Sequence, residues 1–473
     1  MTETVELPFW VVVVTVLFAA LWLLQHFLLP SARWFFRRRA NALIEEVNRK
    51  LALQIPSFKI TRREVLIDRL IYHERVITLV DNLASSKDIP REALMQDVRS
   101  YAREIVPAFN ALIYFKAAYW LARRLVHALY RVRLGFAHDT GLSEIDAQSS
   151  VVFVMNHRSN MDYILATYLA AERTALSYAV GEWARVWPLQ QLIRSMGGYF
   201  VRRDSGDPLY RRVLECYVQM AAEGGVPQAV FPEGRLSRDG KLGTAKLGLL
   251  GYLVRGFDRQ ASRDIVFVPV GINYDRVFED RTLLRYSQKL PKRGLAYTLS
   301  KSFSFFVKNL WQALLGKRYR YGYACVNFGE PLYLKKWLEE RSGDQQNTLE
   351  DVTELADDLM LRIGGIIPIL PVALVATVFV RNPTVSYTEF ELKKEVFDLL
   401  GKLERSGIPA YIPRSDRDYA VSVGLRMLTL RKLLLETEGE YRQNPAELAM
   451  MNYYAHSIEH LIDRALVTFR EDD

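Results

Sequence analysis

The stretch VVFVMNHRSNMDYILATYLA, residues 151–170, sets His157 directly after a run of apolar residues and places Asp162 five positions later. An imidazole and a carboxylate at this spacing are reagents for moving a proton. If Ser159 or Asn160 caps a helix that begins near Met161, Asp162 falls in its first turn, which curls back toward the preceding loop. The carboxylate then accepts the Nδ1–H of His157 and leaves Nε2 to take a proton from a hydroxyl. General-base help of this kind is worth about 10²–10⁴-fold. A histidine beside an aspartate is also a common surface pair, so the pair gains weight only from where it stands. No serine-glycine elbow is present to supply an acyl-enzyme nucleophile. The stretch GKLGTAKLG does not follow the P-loop spacing, and no cluster of histidine, cysteine and carboxylate has the spacing of a metal site.

Three further stretches follow apolar runs. GGYFVRRD places Arg202 and Arg203 at the end of one, FPEGRLSRDGK supplies Glu233, Gly234, Arg235, Arg238 and Lys241 after another, and VPVGINYDR ends with Asn273, Asp275 and Arg276. A single basic loop reads as a solvated surface, or as ion pairs with Asp204, Asp207 and Asp239. Two basic loops converging on the strand end that carries His157 read as a phosphate site, because guanidinium forks bind phosphate in a bidentate manner.

The elements that must position these residues are legible from periodicity. Residues 41–134 have apolar side chains at three- and four-residue intervals with basic residues between them, a helical pattern broken at Pro90. From Val151 onward, short apolar runs (151–155, 174–180, 197–203, 227–234 and 265–275) alternate with helical stretches as far as VNFGEPLYL at 326–334. That alternation predicts an α/β unit whose sheet is mostly buried between helices, with the loops at its carboxyl edge as the usual place for a site. Amphipathic helices return at 387–470. The expected organisation is an anchor with its basic flank at 1–39, a helical domain at 40–140, the α/β domain at 141–335 and a mainly helical region at 336–473.

The chain has 473 residues, a net charge of +9 and a sequence pI near 9.3, which suits an anionic partner. Its two cysteines, Cys216 and Cys325, cannot build a disulfide framework. Residues 7–29 carry no charge and are long enough as a helix to cross a bilayer. Glu3 and Glu6 precede them and Arg33, Arg37, Arg38 and Arg39 follow, which puts the body of the protein on the cytoplasmic side with Trp34, Phe35 and Phe36 at the interface. A cleaved signal peptide would need a basic start and a shorter apolar core. Residues 281–320 hold ten lysines and arginines, no acid, and Phe303, Phe305, Phe306 and Trp311. Single-stranded nucleic acid tolerates such a composition, but next to an anchor it fits an interfacial helix on anionic lipid, so nucleic acid is not the expected partner. The apolar run 363–380, with two prolines and a Gly-Gly pair, fits an irregular buried helix or an interfacial segment better than a second span.

Taken in order, NHRSNMD, GGYFVRR, FPEGRLSR and VPVGINYD resemble the four sequence blocks of the glycerolipid acyltransferase superfamily. The regions around them resemble the large bacterial membrane-bound glycerol-3-phosphate acyltransferases. The resemblance implies His157 as the base that deprotonates the acceptor hydroxyl and Asp162 as its orienting partner. It also implies that Arg202, Arg203, Glu233, Gly234 and Arg238 bind glycerol phosphate, and that Pro269 lies on the acyl-donor side. In the third block, Arg235 and Leu236 stand where a small residue and an arginine are common, leaving Arg235, Arg238 or Lys241 to replace a phosphate contact. The implied reaction is acyl transfer from acyl-CoA or acyl-acyl carrier protein to glycerol 3-phosphate in phospholipid synthesis, with no metal or redox cofactor. Acylation of lysophosphatidate and a non-catalytic lipid-binding scaffold are the rivals.

Overall fold

A computed structural model of the chain describes residues 8–24, 55–137, 144–170, 174–185, 187, 189–202, 205–260, 263–287, 321–342 and 348–471. Its centre is an eight-stranded mixed sheet made of β1 (Arg131–Ala137), β2 (Ser150–Met155), β3 (Ser177–Gly181), β4 (Tyr199–Val201), β5 (Gln228–Val230), β6 (Ile265–Tyr274), β7 (Tyr323–Phe328) and β8 (Leu332–Tyr333). The strand order is β1-β7-β6-β2-β5-β3-β4, with β8 on β6. Strands β2 to β6 run parallel, whereas β6 meets β7 and β8 antiparallel. All six residues of β2 and all ten of β6 are buried, as expected of strands covered on both faces.

Alternate residues of the central strands feed two separate cores. Val152, Val154, Ile265 and Phe267 pack into a layer formed by α1 (Arg63–Ile71), α2 (Glu74–Lys87), α3 (Arg91–Ile105), α4 (Pro208–Glu223) and α5 (Leu349–Gly365). Val151, Phe153, Met155, Val266, Val268 and Val270 face the opposite layer, which includes the C-terminal helices α6 (Pro371–Arg381) to α7 (Glu389–Arg405) and α8 (Arg417–Leu430). The two-residue period of a strand thus divides one sheet between two sets of helices.

Three features bear on the sequence reading. Arg131–Ala137, whose first residues belong to the run read as helical, is a strand. It is the sheet's edge, parallel to β7, and basic residues tolerate an edge because one side of it remains solvated. The C-terminal region carries an antiparallel sheet of β9 (Tyr387–Thr388), β10 (Leu434–Thr437) and β11 (Glu440–Gln443) among its helices. The N-terminal apolar run contributes a helix at Phe9–Leu23, fifteen residues or about 22 Å. Among the described residues no helix is long and apolar enough to cross a membrane. The rest of the expected anchor, with its arginines and interfacial aromatics, lies outside the described residues, as does 288–320 of the basic-aromatic segment.

The apolar run 363–380 is buried in protein. It ends α5, crosses the sheet at Ile366–Leu370 and becomes α6, in which residues 371–379 are all buried. Pro371 occupies the first turn, where its missing N–H costs nothing. The helix has no capping side chain of its own, and Asp275 at the end of β6 supplies one: Oδ1 accepts the Val372 N–H at 3.1 Å while Oδ2 accepts the Tyr323 N–H at 2.8 Å. Burial pushes the Asp275 carboxyl up, to about 7, although both N–H groups hold it down. Asn273 donates to the Pro368 carbonyl at 2.9 Å, and Asn327 donates to that of Ile366 at 2.8 Å. These three side chains fasten the C-terminal region to the central sheet. Asp275→Ala leaves two buried N–H groups unpaired, at about 1–3 kcal/mol each. We expect the apparent Tm, followed by circular dichroism, to fall by several degrees; an unchanged Tm would show that Asp275 does not join the two parts.

Candidate active site

Strand β2 delivers Asn156 and His157 beyond its carboxyl end. The Asn156 side chain bridges to β6, donating from Nδ2 to the Ile272 carbonyl at 2.9 Å and accepting the Ile272 N–H at 2.7 Å. An amide used in this way acts as one more residue of the ladder, so the loop that follows starts from a fixed point. Ser159 then caps the helix Met161–Ala170 by accepting the Met161 N–H at 3.1 Å.

Asp162, in that first turn, is fully buried and gathers four donors. Oδ2 accepts Nδ1–H of His157 at 2.9 Å, the Arg158 N–H at 2.8 Å and the Ser159 N–H at 3.0 Å, and Oδ1 accepts the hydroxyl of Tyr274 at 2.6 Å. The acceptor role of the carboxylate sets the tautomer of His157, with the proton on Nδ1 and a lone pair on Nε2. The ring is 3 % exposed, stacks on Phe231 at 4.1 Å between centroids and meets Tyr163 edge-on. Nε2 has no hydrogen-bond partner among the described residues. A histidine held by two rings and one carboxylate, with one basic nitrogen left over, is equipped for proton transfer.

The third block lies alongside because β5 is the direct neighbour of β2. Glu233, expected among the groups that bind the acceptor, spends both oxygens on backbone: Oε1 accepts the His157 N–H at 2.7 Å and Oε2 the Gly243 N–H at 2.9 Å. Burial raises its pKa, and those two N–H groups pull it back. A carboxylate so occupied, which would repel a phosphate, belongs to the frame that holds the His157 loop. The Ser237 N–H donates to the His157 carbonyl at 2.9 Å, and the Arg158 guanidinium donates to the Gly240 carbonyl. Gly240 has φ +92°, and a side chain there would collide with the Tyr453 carbonyl. Gly234 is exposed with φ +65° at the turn of the block.

The basic residues divide. Arg235 and Arg238 are exposed on the third-block loop, and the Arg238 guanidinium lies 6.0 Å from the Tyr286 ring. Lys241 pairs with Glu459 of the C-terminal region at 2.9 Å. Arg202 stands at the end of β4, three strand spacings or roughly 14 Å from β2. It makes two hydrogen bonds to Glu104, at 2.6 and 3.0 Å, between the rings of Tyr101 and Tyr210. Arg185 shares the same carboxylate, so two guanidinium groups meet one acid. Arg203 lies outside the described residues. Asp207 and Asp239, the alternative partners for these cations, accept instead from backbone N–H groups, and Asp207 from Tyr101 as well. In the fourth block, Arg276 stacks on Tyr321 at 4.2 Å, and Pro269 is part of β6. Among the described residues no group of three or more histidine, cysteine or carboxylate side chains could hold a metal ion.

Sequence reasoning missed Tyr274 and Glu104. Tyr274 stands inside the quoted fourth block at the end of a predicted strand, and only the adjacency of β6 to β2 reveals its target. Glu104 gives no local sign, since it is one acid on an amphipathic helix.

Two family models match the chain: Acyltransferase over residues 137–273 and Glycerol-3-phosphate acyltransferase C-terminal region over residues 304–469. Proteins named glycerol-3-phosphate acyltransferase are similar along most of it. That of Alteromonas mediterranea is 24% identical over 84% of this chain and 49% of its own length. That of Pseudomonas putida is 26% identical over 90% and 52%, and one from Pseudomonas fluorescens is 29% identical over 65% and 36%. The chain therefore spans about half the length, or less, of the curated relatives it matches. Among solved structures, 1-acyl-sn-glycerophosphate (LPA) acyltransferase of Thermotoga maritima aligns with 63% of this chain and 96% of its own at 15% identity, with a TM-score of 0.31. The matched regions contain the His157 loop and the helices fastened to it.

Proposed function

We propose that the chain is a glycerol-3-phosphate 1-O-acyltransferase that uses an acyl thioester, acyl-CoA or acyl-acyl carrier protein, to make lysophosphatidate. The observation that carries this reading is the Asp162-held His157 with its free Nε2, inside a chain matched by both an acyltransferase model and a glycerol-3-phosphate acyltransferase C-terminal model. In the reaction, Nε2 takes the proton of the acceptor's 1-hydroxyl as that oxygen attacks the thioester carbonyl. The tetrahedral intermediate then collapses with cleavage of the C–S bond, and the imidazolium returns its proton to the departing sulfur. Asp162 holds the ring and offsets its positive charge. Asp162 in turn is held by Tyr274 and by the Arg158 and Ser159 N–H groups.

The acceptor's phosphate is assigned to the arginines of the second and third blocks: Arg202, with Arg203, and Arg238, with Arg235 and Lys241 as further cations. The proposed setting is the inner face of a bacterial cytoplasmic membrane, reached through the N-terminal apolar segment and, on anionic lipid, through residues 281–320. The arginines that follow the apolar segment and the ten lysines and arginines of 281–320 carry the positive charge that suits such a surface.

Loss of the base is the sharpest test. His157→Ala should lower transfer by about 10²–10⁴-fold with expression unchanged, and Asp162→Asn should come close to it, because an amide cannot accept at both oxygens. Tyr274→Phe removes one charge-assisted hydrogen bond and should lower kcat about tenfold with little change in either KM. Activity retained in His157→Ala would remove it as the base.

Acceptor identity is read by radiolabelled acyl transfer with glycerol 3-phosphate and lysophosphatidate in parallel. Arg202→Ala and Arg238→Ala should each raise the KM for glycerol 3-phosphate by about one to two powers of ten, and that for the donor far less. Product from lysophosphatidate alone would overturn the acceptor, and unchanged acceptor kinetics in both variants would take these arginines out of the site.

Membrane attachment is tested by deleting residues 1–39. The shortened chain should bind anionic vesicles at low salt and come off at high salt. Complete solubility at low salt would eliminate the second contact surface.

A further inference from the structure

At the other end of the sheet, a buried ammonium group has no acid to balance it. Lys59 sits on the helical turn Ser57–Ile60 with 7 % of its surface exposed. Its Nζ donates to the carbonyls of Ala175 and Leu176, at 2.6 and 2.9 Å, just before β3, and lies 4.7 Å from the centre of the Phe109 ring. Carbonyl dipoles and a ring solvate a cation without neutralising it, and an unpaired buried charge is costly. Burial accordingly lowers the Lys59 pKa well below its ordinary value.

This ammonium borders a cavity of about 250 Å³ whose polar lining includes Arg62, Arg63, Asn110 and Ser177. No acid is among the described residues that line it. Arg62 is exposed, and its guanidinium makes no hydrogen bond among the described residues. Arg63 uses Nε and Nη2 on the Val106 and Arg103 carbonyls. Nearby Arg103 and Arg194 add to the positive field. Of the acids within reach, Glu64 lies outside the lining and Glu104 is already taken by Arg185 and Arg202.

We propose that this cavity is a second anion site, which takes the phosphate dianion of a small phosphomonoester. Three cations without an acid call for more than a single negative charge, and guanidinium groups match phosphate geometry. The volume admits a phosphate and a few carbon atoms, and Phe58, Phe109 and Val226 supply the apolar wall those carbons need. The site is separate from acyl transfer. It opens at the amino ends of β3, β4 and β5, whereas His157 lies beyond a carboxyl end, the length of β3 or roughly 16 Å away, and the Arg202 guanidinium is held by Glu104.

The test is equilibrium dialysis of the full chain against radiolabelled inorganic phosphate. Lys59→Met should remove one bound phosphate per chain, and Arg62→Gln should weaken that site about tenfold, while Arg202→Ala leaves it intact. Lys59 also pins two carbonyls; should Lys59→Met fail to fold, phosphate binding by the exposed Arg62→Gln decides the question. Acetate at equal concentration should fail to displace the phosphate. Full binding in Arg62→Gln, loss of all phosphate binding in Arg202→Ala, or displacement by acetate would each overturn the proposal.

Discussion

Asp162 holds a negative charge with no exposed surface, and the fold around it can be read as the set of donors that makes this tolerable. Two of the four are backbone N–H groups of Arg158 and Ser159, so the loop after β2 has to wrap around the carboxylate. The third is His157, which leaves its ring with one conformation and one tautomer. The fourth, Tyr274, comes from β6. The position of Asp162 in the first turn of a helix adds the favourable end of the helix dipole. Without the acid, the loop loses both its shape and the orientation of the His157 ring. In the proposed reaction, structural and chemical roles therefore could not be separated at this residue.

The C-terminal region takes part in the same frame. Tyr453 leaves room only for glycine at 240, where the Arg158 side chain is anchored. His456 reaches the Asp239 carbonyl at 2.9 Å, on the third-block loop. Deeper in, Arg431 pairs with Asp280 at 2.6 Å, and Tyr454 bonds to both. A buried pair of this kind adds little net stability but is expensive to break. Helices from the last hundred residues thus hold the two loops that present His157 and the exposed arginines.

Periodicity shows the strands β2 and β6 well, because burial on both faces gives uninterrupted apolar runs such as VVFVM and IVFVPVG. It fails at β1, where Arg131 and Arg133 alternate with Val132 and Leu134 at the end of a genuine helix. It also fails at β9–β11, which are too short and polar to carry a pattern. Residues 363–380 show a deeper limit, since burial in protein and burial in lipid select the same side chains. The prolines and glycines lean toward protein. What decides the matter is that Asp275, Asn273 and Asn327 satisfy the backbone of that crossing. The His157–Asp162 bond is readable because both groups lie within about one helical turn. The Tyr274 bond spans 112 residues and depends on strand order alone.

Strand order also sorts the basic loops. Glu233 is 76 residues from His157 yet touches its backbone, because β5 is the neighbour of β2. Arg202 is closer in sequence but farther in space, since β5 and β3 lie between β2 and β4. The arginine nearest the N-terminal helices is accordingly held by one of them, through Glu104, and not by the base's own loop. Glu104 fixes the direction of the Arg202 guanidinium in advance and, by serving Arg185 as well, leaves the pair with excess positive charge. In the proposed reaction, a phosphate arriving there would meet Arg202 through Nη1, since Nε and Nη2 are already given to Glu104.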